Sequence, residues 1–312
     1  MQRRLVKQGN GALTVSLPKK WLDLNSLNAG NEVEIEEEGY KLTIRGRGIP
    51  KSNSIEVKIP HFEKTKERGM TNIEYSMVRS IIGNAYKKGY DIIIVKFENE
   101  ETLRYIERYI DNLLGHEIIE INKNYVVVKN VSLELEEEYS NLFRKSFYLL
   151  QRNMKQILEM SKEKKYNLYE EIEERNFSIA KYTDYCKRIL SKNKRGEDST
   201  IFEYLFVWNF EKISIEWTLL AKYISKNKNK LSKEEIDAME KNIEMIEGMV
   251  GNFFTGKVEY LKEYAKLKER FLYGDYELLM IDKKNDPNII ARLGMIARRC
   301  SDMVGPFYGK WI

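Results

Sequence analysis

The spacing of apolar positions divides the chain into three stretches with different rhythms. Over residues 1–48 the period is two. "RRLVK" and "ALTVSLP" read as strands flanking Gly9-Asn10-Gly11, a turn whose residues tolerate positive φ. Pro18 opens a short helix, "PKKWLDL", at a position where a missing N–H costs nothing. "EVEIEEE" and "YKLTIRG" form a second hairpin about Gly39, with Val33 and Ile35 alternating with Glu32, Glu34 and Glu36. The predicted order is β-β-α-β-β. So short a segment leaves the apolar faces of Leu13, Val15, Leu17, Val33 and Ile35 without enough cover, and pairing with a second copy is the usual remedy.

Residues 49–71 are polar and read as a linker around one short strand, "SIEVKIP". Residues 72–132 change rhythm. A helix over 73–88 is stopped by Gly89, and the apolar run "YDIIIVKF" suits a strand covered on both faces. A second helix over 100–114 ends at Gly115, and "EIIEI" and "YVVVKNV" follow as strands, completing a small α/β sandwich. Residues 133–312 keep helical spacing only, as in Phe143, Phe147, Leu150 and Met154, or Phe206, Ile213, Trp217 and Leu220. Breaks near Lys165, Asn193–Asp198, Asn227–Lys230 and Gly256, and over Gly274–Pro287, predict six helices in an antiparallel bundle. The expected class is multidomain α+β.

Composition narrows the function. With 42% apolar and 32% charged residues among 312, the chain can fold and build a core. No apolar run approaches the roughly 20 residues of a membrane span, so no membrane insertion is expected. The opening Met-Gln-Arg-Arg leads into a polar stretch unlike a signal peptide. Cys186 and Cys300 read as buried free thiols of a cytoplasmic protein. His61 and His116 lie outside ligand or catalytic spacing, and Gly9-Asn10-Gly11 lacks the residues of a phosphate loop, so neither enzymatic activity nor a cofactor is expected.

The net charge of +5 is mild, but residues 1–22 hold Arg3, Arg4, Lys7, Lys19 and Lys20 and no acid. Two readings of this cluster are open on charge alone. It is an ordinary solvated surface, or it neutralises phosphates, in which case a dimer doubles it to about ten charges. Lys19 and Lys20 fall in the first helical turn, where unpaired N–H groups and the helix dipole favour phosphate, while Trp21 and Leu22 pack inward.

The G-N-G turn, "VSLPKKW", "LNAGNEVEI" and the closing "KLTI" together resemble the swapped-hairpin SpoVT/AbrB-like DNA-binding domain. The Leu-Pro-Lys-x-Trp form looks like the version fused to a PhoU-type helical domain, known chiefly from archaea. "NAYKKGYDIIIV" and "LLGHEIIE" are similar to the middle segment of that fusion. The resemblance implies an interleaved homodimer whose basic residues meet DNA. That role falls on Arg3, Arg4, Lys7, Lys19 and Lys20, with Arg45 and Arg47 as further candidates. It implies a transcriptional regulator linked to phosphate uptake. The alternative is a PhoU-like signalling modulator that docks on a phosphate transporter or sensor kinase, with the N-terminal hairpins only dimerising. PhoU helices carry acidic motifs that can hold iron or zinc. Here Asn176, Ala180, Ile215 and Arg298 interrupt them, leaving Glu211 and Asp302 as remnants that read as polar contacts, and no metal is expected.

Overall fold

The computed structural model describes residues 2–9, 11–46, 53–60, 73–132, 137–192, 199–228 and 230–311. The chain divides into two compact units, Met1–Ile55 and Glu56–Ile312.

The first unit holds two separate two-stranded antiparallel sheets joined by a short helix. Strands β1 (Val6–Gln8) and β2 (Ala12–Thr14) pair through Val6↔Thr14, Lys7↔Leu13 and Gln8↔Ala12. The turn between them needs its glycines, since Gly9 and Gly11 stand at φ of 68° and 96°. Helix α1 (Lys19–Leu24) follows, then β3 (Val33–Glu38) and β4 (Lys41–Gly46) in a six-pair register. Leu27, in the loop after α1, is buried. A Cβ at Gly46 would sit 2.8 Å from Leu27 Cδ1 and 3.2 Å from Asn25 Cβ, so the end of β4 closes against that loop.

The second unit begins with a four-stranded sheet in the order β5-β6-β8-β7, formed by β5 (Ser54–Lys58), β6 (Ile92–Lys96), β7 (His116–Ile121) and β8 (Tyr125–Asn130). β5 is therefore an edge of this sheet and not a strand within a linker. Helices α2 (Ile73–Lys87) and α3 (Glu100–Ile110) pack on each other and on the sheet. The Asn99 side chain caps α3 by accepting from Thr102 N at 2.8 Å. β6 corrects an expectation. Its Ile93 and Val95 are buried, but Ile92 and Ile94 are only half-buried, so one face is fully covered and the other is not.

The helical part comprises, among the described residues, α4 (Glu137–Glu163), α5 (Tyr169–Lys192), α6 (Ser199–Asn227), α7 (Lys233–Phe253), α8 (Tyr260–Arg270), α9 (Tyr276–Ile281), α10 (Pro287–Asp302) and α11 (Val304–Trp311). Six helices is thus a simplification. The break expected over Gly274–Pro287 falls only between Ile281 and Pro287, because a π turn over Phe271–Asp275 carries α8 past Gly274 into α9. At the other end, the chain kinks at Met303 to give α11. The centre is aromatic: Phe206 and Phe253 stack at 3.7 Å, and Phe143 meets the Phe210 ring edge-on at 5.2 Å.

The expected boundary at residue 132 does not divide compact units. Arg188 of α5 is wholly buried, and it donates from Nη1 to the carbonyls of Tyr86 (2.9 Å) and Tyr90 (2.8 Å), and from Nη2 to Asp91 Oδ1 (2.7 Å). Its neighbour Lys187 joins Asp184 at 2.7 Å and Glu211 of α6. Sequence patterning misses this pair. Nothing in helical spacing reveals that adjacent cations both face neighbouring elements.

Candidate nucleic-acid interface

The β1–β2 register sends two chain segments out of the same open end of the hairpin: Arg3–Leu5 before β1 and Val15–Pro18 after β2. The second segment runs straight into α1. Pro18 is not inside the first turn, as the sequence suggested, but caps it from an extended conformation (φ −64°, ψ 129°), and its carbonyl accepts from Trp21 N and Leu22 N. Lys19 and Lys20 are therefore the first two helical residues and are exposed. Trp21 and Leu22 are half-buried, and Asn25 Nδ2 ties the last turn to the Trp21 carbonyl at 2.8 Å.

Arg3, Arg4 and Lys7 are exposed as well, and among the described residues none of the five cations is paired with a carboxylate. The hairpin topology thus gathers Arg3, Arg4, Lys19 and Lys20 toward one end. Lys7 lies inside the ladder opposite Leu13. Arg45 sits in β4 opposite Glu34, and Arg47 lies outside the described residues.

The apolar side chains of this unit are as exposed as its cations. Leu13 is 61% accessible, Ile35 58% and Leu42 57%, and Val15 is also exposed, while Leu17 and Val33 are half-buried. No described strand of one hairpin pairs with the other. Two isolated hairpins with uncovered apolar faces are marginal in water, so the single chain leaves a surface that association would bury.

Residues 6–56 match the family model described as antidote-toxin recognition MazE, bacterial antitoxin. The first unit is similar to that swapped-hairpin family. The match ends at the first residue of the second unit and does not reach that unit's helices. No curated protein and no solved structure matches the chain.

The two acidic remnants in the helical part are each engaged by a cation. Glu211 meets Lys187, and Asp302 lies 3.5 Å from Arg299 one turn away on its own helix. Burial alone would push the Lys187 ammonium down, but the carboxylates of Glu211 and Asp184 outweigh it and hold its pKa above the ordinary lysine value. Among the described residues no group of three His, Cys, Asp or Glu side chains converges as a metal site would require. No described helix is long and apolar enough to cross a membrane.

Proposed function

We propose that the protein is a DNA-binding transcriptional regulator that acts as a homodimer through its first unit. One observation carries the reading: exposed cations gather at the open end of a hairpin whose apolar faces are uncovered, in the region similar to the MazE family. Pairing two copies would bury Leu13, Val15, Ile35 and Leu42 and bring two cationic ends into one surface. Such a surface binds phosphates by releasing counterions. In this reading Lys19 and Lys20 hold backbone phosphates, and Arg3, Arg4 and Lys7 lie against the groove. Arg45 and Arg47 complete the basic set. The role is binding, not catalysis. A link to phosphate uptake rests only on the likeness of the helical region to PhoU.

The test is selection of bound sequences from random DNA by the full-length protein, followed by salt titration of the selected site. The intact chain should enrich a defined, two-fold related site. A chain with Arg3, Arg4, Lys7, Lys19 and Lys20 all replaced by alanine should remain dimeric and lose binding. Unchanged binding by that variant defeats the reading. The description of the matching family favours a second reading, in which the paired first unit helps recognise a toxin protein. A toxin captured by both the parent and the five-alanine chain, with no DNA selected, would put that reading first.

A further inference from the structure

The second unit carries a feature that DNA binding does not use. β7 is the last strand of its sheet, and among the described residues its outer edge is paired with nothing. A cleft of about 510 Å³ runs along that edge, between β7 and the C-terminal half of α3. Buried Ile110 and half-buried Ile118 contribute to its lining, and Ile119 and Ile121 are exposed along it. The rest is acidic. Glu107 comes from the helix and Asp111 from the residue that caps its C-terminus, and Glu117 and Glu120 come from the strand. The single lining cation, Arg108, is held over the Tyr75 ring at 5.4 Å. Lys129 stands across the ladder from Glu117 but does not line the cleft.

We propose that the β7 edge and the α3 flank take up an extended, basic segment of a partner polypeptide by strand addition. An open edge offers unpaired N–H and C=O groups to a further strand, which supply affinity, while flanking pockets read alternate side chains. The carboxylates decide between the two occupants an edge invites. A second β7 would bring the Glu117 and Glu120 carboxylates of both copies to one seam, and like charges gathered across a strand pair destabilise it. The irregular register at Ile118–Glu120, where Ile119 is the extra residue, also spoils a regular self-pairing. A segment alternating Lys or Arg with aliphatic residues meets no such repulsion. Its cations meet Glu117 and Glu120 on one face, and its apolar side chains cover Ile118 and Ile121 on the other.

The test uses the intact chain and a fluorescein-labelled peptide, KVKVKVK with blocked ends. Anisotropy should report saturable, salt-sensitive binding, and hydrogen exchange over residues 116–121 should slow on adding peptide. The variant Glu117→Lys/Glu120→Lys, altered only at exposed positions, should bind roughly tenfold or more weakly, while Glu269→Lys, far along the chain and exposed, should bind like the parent. Replacing the central valine of the peptide with proline removes a backbone donor and should cost a comparable factor. Equal binding by the double variant, equal binding of the proline peptide, or no slowing over 116–121 would overturn the proposal, since each means that the peptide adheres elsewhere. Protection of 116–121 in the free chain that rises with protein concentration would also overturn it, because the edge would then be taken by a second copy. DNA binding, which belongs to the first unit, should stay the same in every variant.

Discussion

The two units solve the same problem, covering apolar surface, in opposite ways. In the second, Trp217, Phe206, Phe210 and Phe253 are completely enclosed, and even a lysine and an arginine are sunk among helices with partners in place. In the first, most large apolar side chains of the hairpins face water, and among the described residues only Leu27 is buried. The second unit can be understood as a single chain. The first leaves the apolar faces of its hairpins uncovered in the single chain. If, as proposed, a second copy covers them, the binding surface is conditional on pairing, and the cations become a concentrated surface only in the pair.

The comparison breaks most sharply at the enclosed core. Trp217→Ala should cost about 3–5 kcal/mol of the second unit's stability, the range for removing a large buried aromatic, as read from denaturant unfolding. Self-association through the first unit should be untouched. If association falls with stability, the units are not independent and the contrast fails.

The complementary variant acts on the first unit. Leu13→Asp puts a charge on a face that is uncovered in one chain and that the proposed dimer would bury. Losing a leucine's burial twice, once per protomer, should weaken association by about 3 kcal/mol or more. Sedimentation should show a shift toward monomer while thermal unfolding of the helices stays unchanged. A dimer that survives this substitution would place association in the second unit.

Much of this contrast is legible in the sequence. The alternation of Val33 and Ile35 with glutamates, and the Gly9-Asn10-Gly11 turn, fix two hairpins by local rules, and the shortness of the segment already shows its faces uncovered. The helical spacing of Phe143, Phe206 and Trp217 likewise locates the core. What local rules miss is tertiary. The break expected over Gly274–Pro287 starts later than the sequence suggests, since a π turn absorbs Gly274 within a continuous helix. "SIEVKIP" is short and flanked by polar residues, so nothing local marks it as the edge of a sheet whose next strand lies more than thirty residues on. Lys187 and Arg188 carry no local sign of burial because their partners, Asp91, Asp184, Glu211 and the carbonyls of Tyr86 and Tyr90, are mostly distant in sequence. At the candidate interface the five cations are visible by composition, and the register places four of them, Arg3, Arg4, Lys19 and Lys20, toward one hairpin end, with Lys7 inside the ladder.

The buried cations allow a third test. Lys187→Met would leave Asp184 and Glu211 without their shared partner. Removing one member of a fully buried pair costs about 3–5 kcal/mol, and here about 2–3 is expected, because both carboxylates keep some solvent access and Lys87 remains 3.8 Å from Asp184. The pH dependence has a definite sign. Lys187 has a folded pKa raised above its unfolded value, so its stabilisation is fully present below about pH 10 and is lost only as pH climbs through the raised value. The parent should therefore lose stability in strong alkali more steeply than Lys187→Met. Parallel curves for the two proteins would show that the ammonium is not held by its carboxylates.

The smallest effect bears on what the paired first unit does. Lys19 and Lys20 are exposed, belong to the first turn of α1 and are free of carboxylate partners among the described residues, so replacing them should leave folding and dimerisation alone. If they meet phosphates, Lys19→Ala/Lys20→Ala weakens binding to every DNA sequence by a similar factor. The plot of log affinity against log salt then flattens by about 0.9 for each phosphate that is no longer neutralised. Arginines that read base edges behave differently, because their loss relaxes preference at particular positions in the site. Measuring Arg3→Ala and Arg4→Ala beside the lysine variant separates the two modes. A lysine variant with unchanged affinity and slope would mean that the α1 end of the hairpin does not face phosphate, and the paired unit would then be a dimerisation device whose partner is a protein.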